Sequence, residues 1–225
     1  MAHLAGTAAR RAHPAQCARP RRAGPHHRSL GGDLRRGARV RLYRVLFYHE
    51  NAAPTERGGA LYVPAQGRGR IDNPSHYGAL YVGNSAAGVC AEVFYRGNQR
   101  QRWEAQMLQP LSTGDRRVLA WYDLPDDAPI CNLDAPDELR QRNLRPSLVI
   151  TRDYEITRRW ALAIWNERRW LGVAWWSYCD ARWVSVGLWR HDAITAYGIE
   201  ELSLDHSAIV AAADIMAVDI VGRHR

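Results

Sequence analysis

The sequence of 225 residues contains no lysine, so all 31 of its basic residues are arginine. This uniform usage indicates the coding composition of the source rather than selection of arginine for phosphate binding. A single arginine therefore carries no functional argument unless a motif surrounds it. Phenylalanine is scarce as well: nine tryptophans and ten tyrosines supply most aromatic surface, and their polar groups suit a core that borders a wet cleft.

Paired cysteines and long apolar runs are missing too. The four cysteines lie far apart without a CxxC pair, which indicates neither a zinc knuckle nor a disulfide framework and favours a cytoplasmic protein. The histidines form no spaced ligand set, so no metal is expected. No apolar run approaches the roughly 20 residues that span a bilayer, and no apolar segment with a cleavage site begins the chain. We therefore predict a protein that is neither exported nor membrane-embedded.

The net charge of +8 is concentrated at the start of the chain. Residues 1–40 hold nine arginines and one aspartate, whereas the rest of the chain holds 22 arginines and 22 acidic residues. Residues 1–38 are mostly Ala, Arg, Pro, Gly and His, with too little apolar surface to offset the entropy lost on ordering. We predict a disordered arm over 1–38, either an inert extension, a start codon set too far upstream, or a weak nucleic-acid binder without sequence preference.

Residues 39–225 are predicted to form one domain, because 46% hydrophobic residues suffice for an ordinary core. Runs rich in β-forming residues lie at 41–48, 77–84, 116–124, 171–178 and 182–189. Helical patterns lie at 86–96, 135–143, 153–168 and 205–218. Asp205 or Ser207 is expected to cap the last helix. The irregular alternation predicts an α+β fold, a small mixed β-sheet flanked by helices.

The helix expected at 86–96 places a carboxylate away from its apolar stripe. Ser85 is a suitable N-cap, and the apolar residues after it recur at helical spacing. Glu92 lies off that stripe and shares a face with Ser85 and Gly88. Few side chains would cover the surface beside the carboxylate, so a ligand could lie there.

Five blocks of sequence together resemble the RES family of toxins, named for an arginine, a glutamate and a serine. The blocks are LYRV (42–45), GRIDNP (69–74), YGALYVGNSAAGVCAEVF (77–94), LRPSLVITRDYEITRRWALAI (144–164) and WWSYCDARW (175–183). Their order and spacing match over about residues 41–190. The resemblance makes 39–225 a RES domain and implies the fold of ADP-ribosyltransferase toxins and activity on NAD+. It also implies a toxin–antitoxin pair in the cytoplasm, whose antitoxin is an Xre-type helix-turn-helix protein.

The resemblance further implies which residues form the site. It implies catalytic roles for Glu92, Arg44 and Ser177, and NAD+ binding by Arg44, Arg70, Tyr43 and Tyr81. Cleavage of the nicotinamide–ribose bond builds positive charge on the ribose, which the Glu92 carboxylate would stabilise. Arginine forks suit the dianionic pyrophosphate. Tyr81 would stack on the nicotinamide or close the pocket, and Ser177 would bond the ribose or orient the glutamate.

Three functions stay open on the sequence. The resemblance favours degradation of NAD+ by water or phosphate over transfer of ADP-ribose to a specific protein. The third is a catalytically inactive relative whose basic arm binds nucleic acid.

The arm before residue 40 lies outside the family pattern, and the sequence departs from that pattern in three further respects. The stretch between Arg44 and Arg70 is long and ends in an extra glycine-rich turn, GRGR at 67–70. Arg158 occupies a position where the family often has glutamine, and an arginine facing the pocket would compete for the contacts of Glu92. Residues 197–225 carry no family motif, and they could pack on the sheet or join an oligomer contact.

Overall fold

The computed structural model describes residues 39–64, 66–95, 102–110 and 114–222. The arm predicted over 1–38 lies outside the described residues. In the ranges that are described, no helix is long and apolar enough to cross a membrane.

Nine strands and five α-helices make up the described part of the chain. The strands are β1 (Arg39–His49), β2 (Leu80–Gly83), β3 (Arg102–Trp103), β4 (Asp115–Pro125), β5 (Ile130–Asn132), β6 (Gly172–Trp176), β7 (Val184–Leu188), β8 (Ala196–Glu201) and β9 (Asp219–Ile220). The helices are α1 (Ala86–Phe94), α2 (Pro136–Gln141), α3 (Pro146–Val149), α4 (Tyr154–Asn166) and α5 (Ser207–Ile215), with a short 3₁₀ helix at Ala105–Leu108.

Seven of the strands form one mixed sheet in the order β5-β6-β7-β2-β1-β4-β8. Strands β5 and β6 run parallel, and every other neighbouring pair is antiparallel. Strands β3 and β9 form a separate parallel pair. The predicted α+β class, a mixed sheet flanked by helices, is therefore confirmed. Strands β3, β5, β8 and β9 are additional to the five that the sequence predicted.

The predicted helices are present with shorter ends. Ser85 caps α1 as expected, because its Oγ accepts the N–H of Gly88 at 3.1 Å. The predicted cap of the last helix is wrong: His206 caps α5, and its Nδ1 accepts the N–H of Ala208 at 3.2 Å. An imidazole nitrogen can accept this bond as a hydroxyl or carboxylate would, which a preference for Asp or Ser does not anticipate.

The two faces of the sheet bury different clusters. On one face, α1 and α5 pack over β1 and β4, and α4 packs over β6. On the other face, the central cluster of β1, β2, β4, β6 and β7 lies under the segment 60–63. Because opposite residues in antiparallel strands point to the same face, the register places Tyr43, Val45 and Tyr81 on the helical face and Arg44 on the other.

Strand β1 pairs with its two neighbours over very different lengths. It pairs with β4 along its full length, from Arg39 opposite Pro125 to His49 opposite Asp115. Its pairing with β2 is limited to Tyr43 opposite Gly83. The two strands therefore diverge beyond this pair and leave an opening in the sheet.

Candidate active site

A cleft of about 340 Å³ occupies the opening between β1 and β2, beside α1. Its lining residues come from both strands, from β6 and β7, from α1 and from the segments before β2 and after β6. They are Arg44, Val45, Gly69, Arg70, Tyr81, Val82, Val89, Glu92, Val93, Trp175, Tyr178 and Ser185. Successive residues of β1 and β2 face opposite sides of the sheet, so the cleft extends from the helical face into the gap between the strands.

The glutamate and the serine singled out from the sequence meet at this cleft. Ser177 is 4% exposed, and its Oγ donates to Oε1 of Glu92 at 2.5 Å. The Ser177 oxygen also accepts the N–H of Cys179 at 3.1 Å, so the hydroxyl proton is directed at the carboxylate. This is the geometry of the second predicted role, in which the serine orients the glutamate.

The sequence predicted room for a ligand on the face of α1 that Glu92 shares with Ser85 and Gly88, but the structure places that room elsewhere. The surface next to Gly88 is covered by Trp183, because a Cβ added at Gly88 would lie 2.9 Å from Cγ of that ring. The glycine therefore allows close packing of α1 against the segment after β6. Room for a ligand lies instead toward Val89 and Val93, which line the cleft together with Glu92.

The two predicted arginines both line the cleft, and each also donates hydrogen bonds to backbone carbonyls of other segments. Arg44 is partly buried, and its Nη1 donates to the carbonyl of Tyr62 at 2.9 Å. Burial lowers the pKa of the Arg44 guanidinium. Arg70 is only 6% exposed, and its Nη1 donates at 2.7 Å to the carbonyls of both Val149 and Thr151. The cleft therefore has two fixed cations in its wall.

The two predicted tyrosines lie in different environments. Tyr81 lines the cleft, donates to Oδ1 of Asp72 at 2.6 Å and accepts the N–H of Ile71 at 3.0 Å. Burial raises the pKa of Tyr81, so the phenol stays neutral near pH 7. Tyr43 packs against the cluster under α1 and α5 and is not among the cleft-lining residues.

Three further residues at the cleft were not identified from the sequence. Trp175 meets Tyr81 edge to face, with ring centroids 6.3 Å apart. Asp72 is a buried carboxylate behind Tyr81, and Tyr178 is 51% exposed at the cleft wall. All three lie within the sequence blocks that resemble the family, which was the available signal.

The site thus combines an oriented carboxylate, two guanidinium groups and a neutral phenol around one concave surface. Such a surface can bind an anionic ligand and stabilise positive charge that develops near Glu92. Across the described ranges, no group of three or more His, Cys, Asp or Glu side chains could hold a metal ion.

Comparison with known proteins gives one family and one solved structure. A family model described as the RES domain matches residues 41–207. No curated protein matches the chain. Among solved structures, a chain of the M. tuberculosis MbcT-MbcA toxin-antitoxin complex is similar at 14% identity with a TM-score of 0.49; the match covers 80% of this chain and 91% of that chain.

Proposed function

This chain belongs to the RES domain family, and we propose that it is an enzyme that cleaves the nicotinamide–ribose bond of NAD+. The acceptor of the ADP-ribosyl group is water or phosphate. In the cell the enzyme is the toxin of a toxin–antitoxin pair and depletes NAD+.

The observation that carries this proposal is the Glu92 carboxylate, held by Ser177 on the wall of a cleft that also contains Arg44 and Arg70. When the glycosidic bond breaks, its electron pair leaves with the nicotinamide nitrogen, and positive charge develops on the ribose. A carboxylate beside that ribose lowers the energy of the transition state more than that of bound NAD+. The serine hydroxyl keeps the carboxylate in one orientation, so little reorganisation accompanies the reaction.

The rest of the cleft supports binding of the same substrate. Its volume of about 340 Å³ falls in the range of small-molecule sites, roughly 300–1,000 Å³. Arg44 and Arg70 offer charged donors for the pyrophosphate. Tyr81 and Trp175 provide aromatic surface for a flat ring.

Two exposed side chains border the cleft and suit a protein partner. Val93 is 39% and Tyr178 is 51% exposed, and both line the cleft. We propose that the antitoxin, a small helix-turn-helix protein, covers this surface and blocks access to Glu92.

The decisive measurement is nicotinamide release from NAD+ by the purified chain with no acceptor protein added. Glu92→Gln keeps the shape of the side chain but removes its charge, so turnover at saturating NAD+ should fall by about 100-fold or more. Glu155→Gln is the matched control, because Glu155 is an exposed glutamate on α4. Activity of Glu92→Gln within about threefold of wild type would contradict the proposal.

Two further assays, labelling of protein from tagged NAD+ and expression in cells, distinguish this function from transfer of ADP-ribose and from an inactive relative. Labelled protein from tagged NAD+, without free nicotinamide in the absence of an acceptor, would support transfer of ADP-ribose to a specific protein. In cells, the wild-type chain should arrest growth and drain NAD+, whereas Glu92→Gln should do neither. Co-expression of the antitoxin should restore growth.

A further inference from the structure

In a turn beside the cleft, both the backbone N–H groups and the backbone carbonyls are hydrogen-bonded to side chains. The turn consists of Gly67, Arg68 and Gly69, and Gly69 lines the cleft. The N–H groups of Gly67 and Gly69 donate to Oδ2 of Asp72 at 2.8 and 2.6 Å. The guanidinium of Arg158 donates to the carbonyls of Gly67 and Gly69 at 2.6 and 3.2 Å. One carboxylate and one guanidinium therefore fix the same two residues.

The carboxylate also connects the turn to the cleft wall. Asp72 is 4% exposed, and its second oxygen accepts the phenol proton of Tyr81. Gly69 lies so close to both side chains that a Cβ there would be 2.4 Å from the phenol oxygen and 2.7 Å from Oδ1 of Asp72. Displacement of the turn would therefore disturb Tyr81 as well.

These contacts show how the turn can act on a ligand. Because its two glycine N–H groups are bonded to Asp72, they are not available to cradle a phosphate. The turn serves instead as a fixed wall of the cleft. Arg158 has the planar fork needed to bond two carbonyls at once. Two of the departures from the family pattern, the glycine-rich turn and Arg158, are thus in direct contact.

We infer that Asp72 and Arg158 are positioning residues that hold the Gly67–Gly69 turn in the shape that binds the ligand. That the ligand is NAD+ rests on the proposed function, whereas the anchoring of the turn does not. If the turn is released, its backbone must be ordered when the ligand binds, which weakens binding. The chemical step depends on Glu92 and should change less once the ligand is bound.

The test compares two neighbouring arginines of α4. Arg158→Met removes both donors to the turn, and Arg159→Met removes an exposed charge from the next position as the control. Arg158→Met should raise the KM for NAD+ about tenfold, leave kcat within about threefold, and speed hydrogen exchange of the amides at 66–72. Arg158→Lys can donate to one carbonyl at a time and should restore part of the affinity. Arg159→Met should leave all three quantities unchanged.

The outcomes are separable. Unchanged exchange at 66–72 in Arg158→Met would overturn the anchoring, and faster exchange with an unchanged KM would overturn the positioning role. Exchange needs no turnover. If the wild-type chain releases no nicotinamide, the proposed function fails, and the exchange comparison alone still supports or overturns the anchoring of the turn.

Discussion

Arg44 and Arg70 differ in what their guanidinium groups hold in place. Arg44 comes from the face of the sheet opposite α1 and bonds one carbonyl, that of Tyr62. Arg70 bonds two carbonyls at the end of α3 and is almost fully buried. The chain has 31 arginines, so residue type alone does not distinguish these two from solvated surface charges. Their burial and their contacts do.

Arg70→Ala is expected to lower both stability and substrate binding. It removes two charged hydrogen bonds and leaves the carbonyls of Val149 and Thr151 without these donors, so the free energy of unfolding should fall by about 2–4 kcal/mol. The KM for NAD+ should rise at least as much as kcat falls, because a pyrophosphate contact also exists before the transition state. Arg44→Ala should lose less stability, since it removes one such bond. Chemical denaturation and nicotinamide release measure the two effects.

Arg145→Ala provides a control for Arg70→Ala, because Arg145 is an exposed arginine next to α3. Its stability and KM should stay close to those of the wild type. Equal stability of Arg70→Ala and Arg145→Ala would show that the two carbonyl contacts contribute nothing measurable.

At the scale of elements, strand β1 determines where the cleft lies. Its complete pairing with β4 keeps it fixed, and its early separation from β2 opens the sheet between Arg44 and Tyr81. An ion pair strengthens the fixed side. Arg41 lies opposite Asp123 in the β1–β4 register, and Nε and Nη2 donate to the two carboxylate oxygens at 2.7 and 2.9 Å.

This ion pair should make stability depend on pH in one direction. The hydrogen bonds from Arg41 hold the pKa of Asp123 below its ordinary value, near 4 in unfolded chains. Its contribution is therefore complete above that value and disappears as the pH falls through the lower, folded-state pKa. Because Arg41 is about half exposed, at 48%, solvent screens the ion pair, and Asp123→Asn should lower the free energy of unfolding only slightly at pH 7. Denaturation with urea at pH 7 and near pH 3 measures the difference.

The difference in stability between the wild type and Asp123→Asn should shrink at the lower pH. Asp126→Asn, which changes an exposed aspartate in the segment after β4, should show no such pH-dependent difference. A difference that stays constant from pH 7 to pH 3 would mean that shape rather than charge accounts for the effect.

At the scale of the whole molecule, the two ends of the sequence differ: the net charge lies near the start, and the last elements belong to the packed domain. Residues 1–40 carry the net charge, whereas the remainder has equal numbers of arginine and acidic residues. The opposite end of the chain completes the fold: β8 pairs with β4, and α5 packs with α1 in the cluster that includes Val45. Residues 197–222 therefore join and pack on the sheet, one of the two possibilities that the sequence left open.

Removal of residues 1–38 should leave the domain nearly unchanged. These residues have little apolar surface, so stability should change by less than about 0.5 kcal/mol and NAD+ turnover should be preserved. Any salt-sensitive retention on DNA should disappear. A full-length variant with the arm arginines changed to glutamine separates the effect of charge from that of chain length. A large loss of stability on truncation would mean that the arm packs on the domain.

Features that depend on nearby residues were predictable from the sequence. The Ser85 cap and helical spacing predicted α1, and runs rich in β-forming residues predicted β1 and β4, because these signals act within a few positions. The short strands β5 and β8 were missed, since each depends on pairing with a distant strand rather than on its own pattern. The resemblance supplied Glu92 and Ser177 and left two roles open for the serine, and only the structure brings its hydroxyl to the glutamate.

Tertiary structure alone decided how the site is assembled. The bond from Ser177 to Glu92 joins positions 85 residues apart, and the bonds from Arg158 to the glycine-rich turn join positions about as distant. One such bond cannot offset the entropy lost in closing so long a loop, so each depends on the pairing of the strands in the whole sheet. Composition and local pattern determined the α+β class and the elements with a strong pattern of their own. The divergence of β1 from β2, which creates the cleft, followed from their neighbours in the sheet.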